Sequence, residues 1–234
     1  MLAAVLLAAA PVEQIDDDGT VDWSSRTLRV LGVGTPRILS PTGALTDGEP
    51  REAARRDALA RLGRLIAGLS FDGATRLADV PSLAAGLERG VLAYRTDEAR
   101  VMSDGTVHLP AHLTFDWVPA LAAGATVVST AEAASGGSGL VIVLDQATEP
   151  ALRLRLLGPA GAVTYAGLPG DPIGAAGVVW VREIGAAPAD FVGPSPHTIH
   201  AQVVRAGVLR VGASDLVTVF GGRVPGGVVV VIPP

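Results

Sequence analysis

The sequence predicts an α+β protein: a small antiparallel sheet covered by one long helix, followed by an all-β domain arranged as a sandwich or barrel. Three observations carry this prediction. A long helical pattern follows a short strand, a two-strand hairpin signal follows that helix, and from Leu140 onward the chain consists of short Val- and Ile-rich runs separated by Gly and Pro. The two halves therefore have different architectures.

The change in pattern divides the 234 residues into four segments. Residues 1–19 are predicted to be a signal peptide and an acidic tail, and residues 20–125 the α+β domain. Residues 126–138 are a linker, because AEAASGGSG at 131–139 is small, polar and glycine-rich. Residues 139–234 form the β-rich domain.

Composition excludes several classes of protein. The formal charge is −5, only 4% of the residues are aromatic, and cysteine is absent. A nucleic-acid partner is not expected, because such binding needs a clustered excess of basic residues. Without cysteine there is no disulfide, no thiolate nucleophile, no zinc–cysteine site and no lipid-bearing cysteine. No apolar run approaches the roughly 20 residues of a transmembrane helix.

The N-terminal run MLAAVLLAAA, followed by PVEQIDDDG, is typical of a secretory signal peptide cleaved near Ala10. It predicts an exported protein that is periplasmic or associated with the outer membrane. The alternative is an Ala-rich first helix of a cytosolic protein. The acidic residues Asp16 to Asp18 are interpreted as a solvated tail, since they lack the alternating ligands of a calcium loop.

The strand TLRVLGVGTP, at 27–36, raises the question of a nucleotide site. A dinucleotide fingerprint needs a third glycine where this chain has Arg37, and it needs a helix to begin directly after the glycines. A P-loop would need Gly-Lys-Ser/Thr. Neither pattern is present, so Gly32 and Gly34 are expected to let the chain bend away from the strand.

A helix is predicted to begin at Pro50, after a possible capping box at 46–49. Glu52 with Arg56, and Asp57 with Arg61, are spaced as ion pairs on its outer surface. Apolar side chains occupy one arc that would cover the sheet: Ala54, Ala58, Leu59, Leu62, Leu65, Ile66 and Leu69.

A shorter helix is predicted from 79 to Gly90, with the glycine as its stop. The segments 91–102 and 106–117 then flank Ser-Asp-Gly and predict a hairpin. In the second domain the predicted strands recur at intervals of roughly ten residues, as expected for a sandwich or barrel. They are LVIVLD, LRLRLL, AVTYA, GVVWVREI, TIHAQVVRA, LVTVF and VVVVIP.

The histidines do not predict a metal site. His108 and His112 share one face of a strand, but four residues separate them by about 13 Å. His197 and His200 would point to opposite faces of a strand.

Other polar patterns also lack a catalytic arrangement. Adjacent Asp97 and Glu98 would diverge on a strand, and Ser138 lies in a Gly-Ser sequence one glycine short of a nucleophile elbow. Arg51 and Arg55 are interpreted as a solvated helix end, with a basic ligand-binding end as the alternative. We predict no catalytic, cofactor-binding or metal-binding residue, and no cofactor.

These residues carry a family resemblance over about 20–120. A strand ending in Gly-x-Gly-x-Pro and an Ala-rich helix with a repeated A..dA...L...I pattern resemble the lipoprotein-20 family and the N-terminal domain of flagellar assembly protein T. The matching positions are Gly32, Gly34, Pro36, Ala54, Ala58, Leu62 and Ile66. The resemblance implies a bacterial cell-envelope protein and implies no catalytic residue. Acylation is not carried over, because this chain has no cysteine.

Function is therefore predicted to be non-enzymatic: a structural or assembly module of the cell envelope, related to the flagellum only by resemblance. A protein partner or self-association is expected, because an edge strand of so small a sheet leaves backbone groups unpaired. Proline at Arg100 or Thr106 of the hairpin is expected to disturb assembly more than folding. The alternative is a periplasmic module that binds a small ligand or glycan in a cleft between the two domains.

Overall fold

A computed structural model gives the fold of the chain. It describes residues 10–36, 48–122, 139–158, 161–169, 171–174, 177–186, 189–215, 219, 224 and 226–233. The signal-peptide prediction for residues 1–9, the predicted linker and Ser138 lie outside the described residues.

The first unit is the predicted antiparallel sheet with a helix on one face. The strand order is β1-β2-β3-β6-β4, and β5 also pairs with β6. Every pair is antiparallel. The strands are β1 (Glu13–Asp16), β2 (Gly19–Asp22), β3 (Thr27–Gly34), β4 (Arg95–Thr96), β5 (Arg100–Val101) and β6 (Val107–Thr114).

Helix α1 (Gly48–Gly68) covers this sheet, as predicted. The predicted apolar arc is buried against it, with Leu59 partly buried. Two short 3₁₀ turns precede α2 (Ala84–Val91), and α3 (Val118–Ala122) follows β6. Among the described residues, no helix combines the length and the apolar character needed to cross a bilayer.

The two glycines of β3 have a different role from the predicted one. Gly32 and Gly34 lie within the strand, which does not bend away at them. A Cβ at Gly32 would overlap the carbonyl oxygen of Ala54, and a Cβ at Gly34 would overlap that of Pro50. The glycines therefore allow the backbone of α1 to pack directly on β3.

Two local predictions about the helices also change. The Asp57–Arg61 pair forms with an N–O distance of 3.0 Å, but Glu52 pairs with Arg55 at 3.5 Å and not with Arg56. The glycine at position 90 lies inside α2 and does not end it. A Cβ there would overlap the ring of Trp117, so this glycine serves close packing.

The segment predicted to be a solvated acidic tail is part of a β-hairpin. Strands β1 and β2 pair from Glu13–Asp22 to Asp16–Gly19. Gly19 has a φ of +158°, and a Cβ there would overlap the carbonyl oxygen of Arg29. The first sheet therefore begins several residues before position 20, and the acidic residues lie at its edge.

The second unit is a seven-stranded sheet with the order β10-β13-β7-β11-β12-β8-β9. It is mixed: four pairs are parallel and two are antiparallel. The strands are β7 (Leu140–Leu144), β8 (Leu154–Leu157), β9 (Val163–Ala166), β10 (Val178–Val181), β11 (His197–Arg205), β12 (Val208–Val211) and β13 (Val228–Val231). Strand β12 is an addition to the predicted set, and most of LVTVF lies outside the described residues.

Short helix α4 (Ala189–Val192) packs on the outer face of this sheet through Phe191 and Val192. On the inner face, one cluster of buried side chains runs from the first unit into the second and includes Trp23, Phe115 and Trp180. The separate folding of residues 20–125 and 139–234 stays a prediction, but the two units share buried surface.

Candidate functional site

The predicted interaction function directs attention to the sheet edges. A strand at an edge has main-chain N–H and C=O groups that pair with nothing in its own sheet, and these groups are where an added strand binds. Two open sheets have four edges: β1 and the β4–β5 pair in the first sheet, and β10 and β9 in the second. In the described part of the chain, the four edges differ in whether other residues cover or interrupt the edge strand.

The β10 edge is covered by the first unit. The N–H of Trp180 donates to the carbonyl oxygen of Trp23 over 3.4 Å, and the Ser24 hydroxyl donates to the carbonyl oxygen of Trp180 over 2.8 Å. Both groups at the centre of this strand are therefore satisfied within the chain. The edge offers no place for another strand there.

The β9 edge is shortened by its own chain. Ile173 forms a parallel bridge with Ala166, and its carbonyl oxygen accepts a hydrogen bond of 3.1 Å from the N–H of Gly167. An added strand would have to occupy the place of Ile173, so the end of β9 at Ala166 is blocked within the described residues.

The β4–β5 edge, which the sequence favours for assembly, is interrupted. Thr96 pairs with Ala111, and Arg100 pairs with His108, so three residues on this edge face two on β6. This extra residue is a β-bulge, and the bulge contains the charged residues Asp97 and Glu98. Bulges and charges are common means of preventing edge pairing.

The β1 edge is regular, and no other strand among the described residues pairs with its outer side. Four consecutive pairs with β2 keep one register, and the N–H of Trp23 donates to the carbonyl oxygen of Val12 over 2.9 Å. Hydrogen-bonded and non-hydrogen-bonded pairs alternate in an antiparallel ladder, so the main-chain groups of Glu13 and Ile15 point away from β2. The Ile15 side chain is 83% exposed. This strand therefore combines an exposed apolar side chain with outward main-chain groups that have no partner among the described residues.

The hairpin that carries this edge is held against α1. Arg64 donates two hydrogen bonds to the Asp18 carboxylate, at 2.8 and 2.7 Å, and Arg61 donates to the carbonyl oxygen of Asp17 over 3.3 Å. The hydrogen bonding and charge of Arg64 lower the pKa of Asp18. A two-point arginine–carboxylate pair fixes orientation as well as distance, so the β1 edge is pre-organised for binding.

The same edge is acidic. Glu13 lies 3.6 Å from Arg29, which also pairs with Asp22 at 3.2 Å. Asp16 and Asp17 are exposed and form no ion pair within the described residues. The edge therefore presents unneutralised negative charge.

The sequence-predicted histidine placements are confirmed by the strands. His108 and His112 lie on the same face of β6, because the residues that alternate with them are buried on the other face. His112 Nδ1 lies 3.9 Å from the Asp97 carboxylate. His197 and His200 lie on β11, three positions apart and so on opposite faces. Within the described residues, no three potential ligands group around a point where a metal ion would bind.

Arg51 and Arg55 line a concavity of about 310 Å³ together with Asp97 and Glu98 of the bulge. The acids balance the charge of the two arginines. Two larger concavities, of about 410 and 340 Å³, lie on the second sheet and between α1 and α2. None of these three is lined by residues of both units.

The described junction between the units is filled rather than open. The rings of Trp23 and Phe115 meet edge to face with centroids 5.5 Å apart, and the Arg26 guanidinium lies 5.0 Å from the centre of the Phe191 ring. Burial lowers the pKa of Arg26, and nearby Asp116 opposes this effect. At the other end, Arg76 and Glu149 pair at 2.6 Å.

Three further aspartates with lowered pKa values are engaged in local structure. Burial opposes ionisation of Asp22 and Asp72, but hydrogen bonds from the following residues outweigh it and lower both pKa values. The Thr106 amide lowers the pKa of Asp104 in the hairpin turn. These carboxylates cap turns, which is a structural use of their charge.

The β1 edge is the site that sequence reasoning missed. The signal for it is present: VEQI and TVDW flank an acidic Asp-Gly turn, and Asp-Gly between alternating segments is typical of a hairpin. The run of three aspartates led to the interpretation as a tail.

No family model, curated protein or solved structure matches this chain. The resemblance to the lipoprotein-20 family therefore stays a prediction carried by the residues of β3 and α1.

Proposed function

We propose that this chain is a non-enzymatic protein of the bacterial cell envelope that acts as an assembly or interaction module and binds a protein partner along the β1 edge. The regular edge of β1, with which no other described strand pairs on the outer side, carries this proposal. An added strand would pair with the main-chain groups of Glu13 and Ile15 and would extend the first sheet by one strand.

The energetics favour this edge over the other three. Its hydrogen-bonding groups already point outward, and the salt bridge between Asp18 and Arg64 orders the hairpin before binding. Binding therefore costs less conformational entropy than ordering a flexible segment would. Burial of Ile15 adds an apolar contribution of about 1.5–3 kcal/mol at most.

Placement in the envelope rests on two features of the sequence. One is the apolar N-terminal run, which favours export to the periplasm. The other is the resemblance to the lipoprotein-20 family and to the N-terminal domain of flagellar assembly protein T. A link to a flagellum depends on that resemblance alone.

Site-specific cross-linking in the native host tests the proposal. A photoreactive amino acid at position 15 is expected to form a cross-link to a defined protein, whereas the same amino acid at position 101, on the bulged edge, is not. Fractionation with mass spectrometry is expected to find a chain that lacks the first residues in the periplasm or with the outer membrane. Absence of any cross-link at 15 in cells, or an intact chain in the cytosol, contradicts the proposal.

A second candidate function, small-ligand binding, is favoured by the 410 Å³ concavity on the outer face of the second sheet. His200, Gln202 and Arg210 line it, and within the described residues their side chains form no hydrogen bond. Gln202 and Arg210 are direct neighbours on paired strands. Three free polar side chains around one concavity suit a small polar ligand such as a sugar or a carboxylate.

Ligand screening by thermal stabilisation tests this candidate. A sugar or carboxylate that raises the melting temperature of the parent, but not that of the Arg210→Ala variant, supports it. Equal stabilisation of both proteins, or of neither, contradicts it.

A further inference from the structure

We infer that the partner segment at the β1 edge is an extended basic strand, with lysine or arginine on both of its faces. This inference rests on the proposed function and adds the chemistry of the partner. Three observations carry it: the charge of the edge, the direction of its side chains and its free main-chain groups.

The charge of the edge selects a basic partner. Four of the six residues at 13–18 are acidic. Asp18 is neutralised by Arg64, and Glu13 shares Arg29 with Asp22. The remaining charges of Asp16 and Asp17 have no counter-ion within the described residues. An acidic or uncharged strand would leave this repulsion in place, whereas a basic strand removes it.

A second copy of the chain fits this edge poorly. In an antiparallel pair of β1 strands centred on Gln14, the outward-facing groups of Glu13 and Ile15 would meet correctly. However, the same register places Glu13 opposite Ile15 and Asp16 opposite Val12 of the other copy, and residues 10–19 contain no lysine or arginine that could neutralise Asp16 or Asp17. The geometry therefore allows self-pairing, but it joins two acidic edges without a counter-charge, whereas complementary charge favours binding.

The direction of the side chains sets a pattern in the partner. Glu13 and Ile15 project from the face that carries Arg29, as the ion pair of Glu13 shows, whereas Gln14 and Asp16 project from the other face. A strand beside β1 would therefore place one basic and one apolar residue, two positions apart, against Glu13 and Ile15. On its other face it would place a basic residue near Asp16.

Main-chain pairing makes the recognition dependent on an extended backbone. The N–H groups of Glu13 and Ile15 point outward, so each is available to a carbonyl of the added strand. A partner that bound through charge alone would not need these groups. This difference separates strand addition from simple attraction between opposite charges.

Fluorescence anisotropy with synthetic peptides and the full chain tests the inference. The probe is a capped peptide that repeats Lys-Val-Thr, so that each face of the extended strand carries both lysine and valine. One comparison peptide replaces lysine by glutamate, and another keeps the lysines but replaces alternate valines by proline. We expect the first peptide to bind and the acidic peptide not to bind. The proline-containing peptide is expected to bind about tenfold more weakly for each hydrogen bond lost, which corresponds to about 1.4 kcal/mol per bond.

Variants of the chain provide the matched controls. Ile15→Pro removes an outward N–H without removing a pair to β2, and proline is tolerated at such edge positions. It is expected to weaken binding of the lysine–valine peptide about tenfold relative to Ile15→Ala. Val101→Pro makes the same change on the bulged edge and is expected to leave binding unchanged. Circular dichroism is used to check that each variant folds. If Ile15→Pro does not fold, Glu13→Pro takes its place in the comparison.

The outcomes separate this inference from the proposed function. The inference is overturned if the lysine peptides with and without proline bind equally, or if the acidic peptide binds as well as the lysine–valine peptide. It is also overturned if Ile15→Pro and Ile15→Ala bind the lysine–valine peptide with the same affinity. A cross-link at position 15 to a second copy, or to a segment without basic residues, also overturns it while leaving the interaction function intact. Loss of the peptide signal in Asp16→Asn/Asp17→Asn supports it.

Discussion

The hydroxyl of Ser24 donates a hydrogen bond of 2.8 Å to the backbone carbonyl of Trp180, 156 positions further along the chain. The same hydroxyl oxygen accepts a hydrogen bond of 2.9 Å from the N–H of Val12, directly before β1. One side chain therefore connects the start of the β1 hairpin to the edge of the second sheet. Both partners are main-chain groups. Loss of the hydroxyl would therefore leave the N–H of Val12 without this acceptor and the carbonyl oxygen of Trp180 without this donor.

Replacement of this serine tests the connection between the two units. Ser24→Ala is expected to lower the free energy of unfolding by about 1–3 kcal/mol, since two partly buried main-chain groups lose their partner. Urea denaturation measures the change. Ser103→Ala, in the exposed hairpin turn, is the control and is expected to change stability by less than about 0.5 kcal/mol. Equal effects of the two substitutions would show that the bond at the junction contributes nothing.

The two buried tryptophans of the junction are expected to respond differently to the same substitution. The Nε1–H of Trp180 donates to the carbonyl oxygen of Ala151 over 2.9 Å, whereas the buried Nε1–H of Trp23 has no hydrogen-bond partner among the residues that the structure describes. Trp180→Phe and Trp23→Phe remove similar volumes, but only the first removes a hydrogen bond. Trp180→Phe should therefore cost about 1 kcal/mol more in thermal or urea unfolding. A larger cost at Trp23 would contradict the assignment of the unpaired donor.

Two glycine-to-alanine substitutions are expected to change stability in opposite directions. Gly32→Ala places a methyl group against the backbone of α1 and should destabilise the protein by about 1–3 kcal/mol. Gly63→Ala lies on α1, where a Cβ meets nothing within 4 Å. It should stabilise the protein by about 0.5–1 kcal/mol, because alanine favours the helix. Stabilisation by both would mean that β3 and α1 do not pack closely.

Asp22 makes part of the stability dependent on pH. Its Oδ1 accepts hydrogen bonds of 3.0 Å from the N–H groups of Ser24 and Ser25, and its folded pKa lies below the ordinary value. A carboxylate with a lowered folded pKa stabilises the fold above its unfolded pKa, near pH 4, and loses this effect as the pH falls through the folded pKa. Asp22→Asn should therefore be less stable than the parent at neutral pH, with a difference that shrinks below about pH 4.

Urea midpoints measured between neutral and acidic pH check this expectation. Asp17→Asn is the control, because its exposed side chain makes no hydrogen bond or ion pair within the described residues. Its difference from the parent should stay small throughout. A deficit of Asp22→Asn that persists unchanged in acid would assign its effect to packing rather than to charge.

Several elements follow from the sequence because their signals are local. The apolar arc of α1 predicts which face is buried, since residues three and four apart lie on one side of a helix. Ser-Asp-Gly predicts the turn between β5 and β6, where Gly105 adopts a φ of +82° that favours glycine. The alternation along β6 places His108 and His112 on one face without knowledge of any neighbour.

The acidic hairpin shows how one local signal can conceal another. Three consecutive aspartates at 16–18 indicate a solvated segment, yet Asp18 is paired with Arg64, which is 46 positions away. A run of acidic residues can therefore belong to a solvated tail or to a hairpin, and the sequence distinguishes the two only if the position of the basic partner is known. That counter-charge is supplied by α1 after folding.

The sequence by itself determined the elements that periodicity and turn chemistry encode: the long helix, the hairpin and the change to a β-rich second half. The tertiary structure alone decided the close contact of Gly32 with α1, the mixed order of the second sheet, and the cover of β10 by Trp23 and Ser24. It also decided that, in the described part of the chain, the outer side of β1 is regular and without a pairing strand. A strand's pattern specifies which side chains are buried, but not which backbone lies beside it, because every strand presents the same N–H and C=O groups. Which of those groups stay free depends on residues far away in the chain.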